Sequence, residues 1–251
     1  VKARAKWMAG ARRLLGVRRG FEIDGVYYKE LTSEPLRHAL AKGGSGHKDF
    51  RVTFGDGSKQ VIRCSHVSVF ADVMGPIGLK RLDPLLRRVR PGSRVLEMGA
   101  GTGYRALWLS FAVGPSGGVV ALCELEEHAQ FARKRYLREN IGFEVGELFS
   151  LAGETDGAFD AIVVFDLRTD DPDVPSLLEE FWRLLAPGGC LFLGTVGPDL
   201  SDPDSRAGRE RIDRLVAAIL SDGEAAAQGE LDVIVTKPRA GASTGDDVAE
   251  R

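Results

Sequence analysis

Apolar and polar positions follow different rhythms along this chain. In "FEIDGVYYKEL" (21–31) they alternate around an Asp24-Gly25 turn. In "FRVTFGDGSKQVIRC" (50–64) Phe50, Val52 and Phe54 alternate, a Gly-Asp-Gly-Ser turn follows, and Val61 to Cys64 resume the strand-like run. A period of two broken by such turns predicts two hairpins. The stretch 41–49, "AKGGSGHKD", reads as a loop between them. From 65 to 90 the rhythm turns helical, through "SVFADVM" and "IGLKRLDPLLRRV".

After Pro91-Gly92 short apolar runs alternate with amphipathic ones. Strands are predicted at 94–98, 119–124, 142–147, 159–166, 190–195 and 231–237, and helices at 104–113, 126–138, 176–186 and 206–220. "FDAIVVFD" (159–166) is apolar almost throughout, as a strand covered on both faces is. Strands and helices in alternation predict an α/β fold, a Rossmann-like, doubly wound, mostly parallel sheet behind a small β-rich N-terminal lobe. The expected organisation is a basic N-terminal helix or arm over 1–20, the lobe over 21–74, the main domain over 75–239 and a disordered tail over 240–251.

The chain has 251 residues, 43% hydrophobic and 28% charged, values of a globular protein with a real core. Its apolar runs are far shorter than the roughly 20 residues that cross a bilayer. No apolar segment follows the basic N-terminus as in a signal peptide, so a cytoplasmic location is expected. Cys64, Cys123 and Cys190 are scattered without a CxxC, which predicts buried free thiols, a reducing compartment and no metal site. The net charge of −2 is unevenly spread: residues 1–20 hold Lys2, Arg4, Lys6, Arg12, Arg13, Arg18 and Arg19 and no acid. Trp7, Ala11, Leu14 and Leu15 share one helix face there. So short a stripe favours a helix packed on its own domain with a solvated basic face over a nucleic-acid or membrane contact.

The candidate chemistry begins at "LEMGAGTG" (96–103), where Glu97 precedes Gly99, Ala100, Gly101 and Gly103 at the carboxyl end of the first main-domain strand. Glycines there let the backbone turn tightly and approach a ligand beside a helix N-terminus. No Gly-Lys-Ser/Thr follows, which excludes a phosphate-binding P-loop. The spacing is G-x-G-x-G, with Tyr104 where the dinucleotide fingerprint has its third glycine. Glu124 ends the next strand, where a carboxylate can accept from ribose hydroxyls. Together these say nucleoside cofactor.

Over residues 75–237 the chain resembles the class I S-adenosylmethionine-dependent methyltransferases. The likeness rests on five blocks in order: "VLEMGAGTG", "VVALCELEEHAQFARKRYLREN", "FEVGELF", "FDAIVVFD" and "FWRLLAPGGCLFL". It implies S-adenosylmethionine as cofactor. By the same resemblance Glu124 holds the ribose hydroxyls, Glu147 faces the adenine amino group, Leu125 and Leu148 sandwich the adenine, and the loop from Gly99 to Gly103 borders the amino acid end. The family ends in an antiparallel strand pair. "LDVIVTK" would supply the last strand, while "EAAAQ" (224–228), its partner by position, is poor β sequence.

Methyl transfer from a sulfonium needs alignment more than acid–base chemistry, so a base matters only where the acceptor must lose a proton. Asp166, at the tip of the fourth strand, and His66, just before the main domain, are the candidate catalytic groups; Asp166 equally fits a cofactor-side role. His38, His47 and His128 read as surface or loop residues. The segment after the fourth strand lacks an Asn-Pro-Pro-Tyr motif, and "FDLRTDDPDVP" (165–175) is acidic. That loop repels a phosphate backbone and suits a cationic or amine acceptor. "GAGTGYRALWLS" is also similar to protein isoaspartate methyltransferases, and the Asp-Leu after the fourth strand to tRNA adenosine methyltransferases, but the N-terminal motifs of neither are evident. The expectation is methyl transfer to an acceptor not specified by sequence, a small molecule or protein side chain rather than nucleic acid. Its rivals are a non-catalytic domain binding S-adenosylmethionine or its demethylated product, and an NAD-dependent oxidoreductase, which the glycine spacing disfavours.

Overall fold

A computed structural model of the chain describes residues 20–23, 25–31, 47–65, 82–146, 153–167, 171–195, 203–220, 224–228 and 232–239. The expectations for the N-terminal arm, for the helical stretch 66–81 and for the tail lie outside those residues.

The two predicted hairpins form one antiparallel sheet in the order β1-β2-β3-β4, with β1 at Phe21–Ile23, β2 at Val26–Glu30, β3 at His47–Thr53 and β4 at Lys59–Ser65. Strand β3 starts earlier than the loop expected over 41–49 allows: His47 pairs with Ser65 and Asp49 with Arg63. The ladder with β4 extends across these polar residues because its backbone bonds do not depend on side-chain polarity. One face carries Tyr28, Phe50, Val52, Phe54, Ile62 and Cys64, all buried.

After the short helix α1 (Asp83–Leu86) comes the main sheet. Its elements are β5 (Arg94–Met98), α2 (Tyr104–Val113), β6 (Gly118–Cys123), α3 (Glu126–Arg135), β7 (Ile141–Val145), β8 (Phe159–Leu167), α4 (Val174–Leu184), β9 (Leu185–Thr195), α5 (Pro203–Ile219), β10 (Glu224–Gln228) and β11 (Asp232–Thr236). The spatial order is β10-β11-β9-β8-β5-β6-β7. Strand β5 pairs in parallel with β6 and β8, β6 with β7, and β8 with β9. Strands β11 and β10 close the other edge, antiparallel to β9 and to each other. The poor β sequence of "EAAAQ" is overridden: all five of its residues pair with 232–236, because a strand next to a formed edge gains a full ladder whatever its side-chain propensity.

Alternate residues of the sheet feed two cores. Val95, Ala121, Cys123, Ala161, Val163 and Phe165 pack with α2 and α3, while Leu96, Leu122, Ile162 and Val164 pack with α4 and α5. Several boundaries differ from the sequence reading, two of them for a visible reason. Helix α3 ends at Arg135, with the Tyr136 amide bonded to the Ala132 carbonyl. Leu185 already pairs with Phe159, and the next pair is Cys190 with Ala161, so Ala186-Pro187-Gly188-Gly189 bulges out of the strand instead of preceding it. Gly188 takes φ +79°, and its amide bonds the Lys237 carbonyl at 2.9 Å.

The N-terminal sheet meets the main sheet through α3. Phe131 is buried in the apolar cluster of the small sheet, edge-on to Tyr28 with ring centroids 6.3 Å apart and 6.0 Å from Phe54. Around it, a ring nitrogen of His128 bonds the Arg63 carbonyl at 2.9 Å, Lys134 donates to the Ser58 hydroxyl at 2.8 Å, and the Gln60 amide donates to the Glu127 carbonyl. His128, read from sequence as a surface residue, is thus half-buried and holds β4 against the helix. Truncating Phe131 removes the ring that joins the two cores. Phe131→Ala is expected to lower unfolding free energy by about 3–5 kcal/mol, measured by urea denaturation.

Candidate functional site

The chain builds β5, then β6 and β7 on one side of it, and then returns to lay β8 and β9 on the other side. The reversal puts the topological switch point between β5 and β8, and ligands of doubly wound sheets bind at the carboxyl ends of the strands there. The "LEMGAGTG" loop lies at that end of β5.

Gly99, Gly101 and Gly103 have φ of +65°, +55° and +83°, a region that side chains disfavour. The Ala100 amide bonds the Leu122 carbonyl at 2.8 Å and the Gly103 amide bonds the Ala100 carbonyl at 2.9 Å, which tie the loop to β6 and close its turn. The Cys123 thiol reaches the Gly101 carbonyl at 3.4 Å. The glycines divide by role. A Cβ on Gly99 or Gly101 would meet nothing within 4 Å, so these two present bare backbone to open space. A Cβ on Gly103 would lie 2.6 Å from the Phe143 ring and 2.9 Å from the Ala132 methyl, so this glycine lets α2 approach β7 and α3.

Beneath the loop, Glu97 is fully buried. Its Oε1 accepts from Arg105 Nε at 2.8 Å, and Arg105 Nη2 donates to the Gly99 carbonyl at 2.7 Å. The Arg105 guanidinium also lies 4.6 Å from the centre of the Phe165 ring, which brings the tip of β8 into the cluster. Glu97 Oε2 is buried with no hydrogen-bond partner, a state that costs on the order of 1–3 kcal/mol. Burial pushes the Glu97 carboxyl above its ordinary value, against the opposing pull of Arg105.

Beyond β6, Glu124 is exposed at the strand tip and Leu125 caps α3 in an extended conformation with 46% of its surface exposed. A bare leucine beside an exposed carboxylate suits a ligand with one apolar face and one hydroxylated edge. Asp166 lies in β8 within the irregular register between Val164 and Leu167, and its side chain falls outside the described residues. His66, Glu147 and Leu148 also fall outside them. The structure therefore brings Gly99, Ala100, Gly101 and Gly103 into one loop over the switch point, with Glu97 beneath it in β5 and Glu124 and Leu125 at the next strand tip.

Sequence reasoning missed Arg105 and Phe165. A signal for Arg105 was present: it is the sole charged residue of the otherwise apolar helix "YRALWLSFAV". All three cysteines are buried, and burial raises the thiols of Cys64 and Cys123 to about 12 and that of Cys190 to about 11. They carry no thiolate near neutral pH and are core residues.

Residues 95–189 match the family model described as a methyltransferase domain. The chain is 34% identical over 117 residues to an arsenite methyltransferase of Aquipseudomonas alcaligenes, covering 43% of this chain and 34% of that protein. It is 35% identical over 120 residues to a ubiquinone biosynthesis O-methyltransferase of Xanthomonas campestris pv. campestris, covering 46% of this chain and 48% of that one. The chain thus spans between a third and a half of the length of these relatives. A crystal structure of an S-adenosylmethionine-dependent methyltransferase from Aquifex aeolicus superposes with a TM-score of 0.52 at 19% identity, over 67% of this chain and 96% of that one. Residues 95–189 are thus similar to a methyltransferase domain, and the Rossmann-like sheet order and the glycine loop agree with the class I S-adenosylmethionine-dependent methyltransferases. The cofactor of that class is S-adenosylmethionine, and the site fits it: bare backbone at Gly99 and Gly101, an orphaned carboxylate oxygen, and an exposed acid and leucine at the next strand tip.

Two outcomes are expected from this geometry. Gly103→Ala adds a clash to a positive φ and should destabilise the fold by about 2–4 kcal/mol; Gly101→Ala carries strain alone, about 1 kcal/mol. Denaturant midpoints of the two variants check the contrast. The second concerns pH. With the Glu97 carboxyl raised in the folded state, both states hold the proton below the ordinary value of 4.5. As pH climbs past it the unfolded chain ionises first, and stability falls until folded Glu97 ionises too. Glu97→Gln should remove this fall from the stability–pH profile.

Proposed function

We propose that the chain transfers a methyl group from S-adenosylmethionine to a small organic acceptor. The observation that carries the reading is the glycine loop at the switch point, with Gly99 and Gly101 turned to open space above a buried, half-satisfied carboxylate. The relatives named for arsenite and ubiquinone biosynthesis support a small acceptor over a macromolecular one. Arsenite itself is not favoured, because trivalent arsenic is a soft, thiol-seeking centre and all three cysteines are buried with protonated thiols.

In this reading the cofactor, when bound, supplies a methyl group already activated by the sulfonium. The chain contributes binding and alignment. Glu124 accepts hydrogen bonds from the ribose hydroxyls, Leu125 and Leu148 cover the adenine, and Glu147 faces its amino group. The backbone from Gly99 through Ala100 and Gly101 to Gly103 borders the amino acid end. Asp166 and His66 stand as the groups that accept a proton where the acceptor must lose one. A domain that binds the cofactor without transferring methyl groups is the competing outcome.

Glu124→Ala should weaken S-adenosylmethionine binding by ~1.5–3 kcal/mol, the worth of hydrogen bonds to a charged group, in calorimetric titration. Unchanged affinity removes Glu124 from the ribose. Radiolabel transfer from the methyl-labelled cofactor to a panel of phenols, quinols, amines and thiols tests the activity. Tight binding with no product across the panel favours the non-catalytic domain.

A further inference from the structure

The N-terminal sheet has one face against α3 and one open to solvent. Its buried alternate residues fill the first face around Phe131. By alternation the second carries Tyr27 and Lys29 on β2, Arg51 on β3, and Lys59, Val61 and Arg63 on β4, all exposed. The register sets these side chains in rows across the strands. Lys29 stands directly opposite Arg51 and Arg51 opposite Val61, while Tyr27, Thr53 and Lys59 form the next row. Like charges directly opposite on neighbouring strands destabilise a sheet, so fold stability gives no reason for the Lys29–Arg51 pair. Arg63 shares its charge with Asp49 at 3.6 Å, and Glu22 on β1 is the other acid of this face. Among the described residues, no carboxylate pairs with Lys29, Arg51 or Lys59.

The positive charge continues along the chain. Residues 1–65 hold fourteen basic and six acidic residues, net +8, and residues 66–251 hold twenty and thirty, net −10. So large an asymmetry within one chain points to an anionic partner. The seven basic residues that precede Gly20 join the sheet beside Tyr27, because the Gly20 backbone lies so close to the Tyr27 ring that a Cβ there would run into it.

We propose that the outer face of the N-terminal sheet binds single-stranded nucleic acid. The inference goes beyond the methyl-transfer reading and does not depend on it. Lys29, Arg51 and Lys59 take the phosphates, and Tyr27, 41% exposed, offers a ring on which a base stacks. A flat, open sheet suits a single strand, whose unstacked bases can splay onto it. A duplex groove admits a helix or a two-stranded ribbon and not the face of a four-stranded sheet. A lipid surface fits less well, because insertion needs a broad apolar face and the apolar groups exposed here among the described residues are Tyr27 and Val61. The negative charge of residues 66–251 repels a phosphate backbone and confines the strand to the lobe. The strand is therefore a docking partner and not the methyl acceptor.

Fluorescence anisotropy of the full chain with labelled oligo-uridine and oligo-thymidine tests this. Saturable binding of at least one of the two strands is expected, and it should weaken steeply with salt. Replacing both Lys29→Gln and Arg51→Gln removes two phosphate contacts. The slope of log affinity against log salt should then shrink by about 1.4, and affinity at about 0.1 M salt should drop about 25-fold. The unfolding midpoint of this variant should not fall, since the like-charge pair is gone. Tyr27→Ala should weaken binding about 10-fold with the salt slope unchanged, as loss of one stacked base would. Failure to bind either strand overturns the inference. So does wild-type affinity in both variants, because residues 1–19 alone then hold the strand. Equal affinity for polyglutamate overturns it as well, and so does binding to phosphatidylserine vesicles without binding to the strands.

Discussion

Strand β5 is enclosed on four sides, and the rest of the main sheet is arranged around that fact. Its edges are bonded to β6 and β8, and its faces are covered by α2 and α3 on one side and α4 and α5 on the other. A strand so enclosed has one outlet for chemistry, its carboxyl tip. The tip is where the chain departs from regular structure, with three left-handed glycines in five residues, and where a carboxylate is held out of water. The irregular backbone is stable because loop amides find partners on β6 and within the turn itself.

Much of the main sheet was legible from hydrophobic rhythm because its strands are covered on both faces and its helices on one. "FDAIVVFD" reads as a buried strand because it is apolar almost throughout, and Asp24-Gly25 reads as a hairpin signal because it stands between alternating runs. Less legible were elements whose partners, not their own side chains, decide their state. Residues 224–228 are a strand because 232–236 offer an edge, and Leu185 leaves helix geometry because Phe159 pairs with it. His47 to Asp49 extend β3 for the same reason, through the ladder with β4.

The site was legible to a similar depth. Glycine spacing and the position of Glu124 after a strand depend on local sequence, so they could be read directly. The difference between Gly101, open to ligand, and Gly103, closed by Phe143 and Ala132, depends on residues some thirty to forty places away. The Glu97–Arg105 pair was hidden for another reason. A buried arginine cannot be told from a solvated one by periodicity, and only its isolation on an apolar helix marked it.

Helix α3 belongs to two sheets at once. Its first turn follows Glu124 and Leu125, and its middle inserts Phe131 into the core of the N-terminal sheet while His128 and Lys134 hold β4 in place. A ligand that rests on the start of this helix stabilises by mass action the fold that presents it, and the gain grows with the logarithm of ligand concentration above the dissociation constant. One helix thus serves as both the floor of the candidate site and the anchor of the N-terminal sheet.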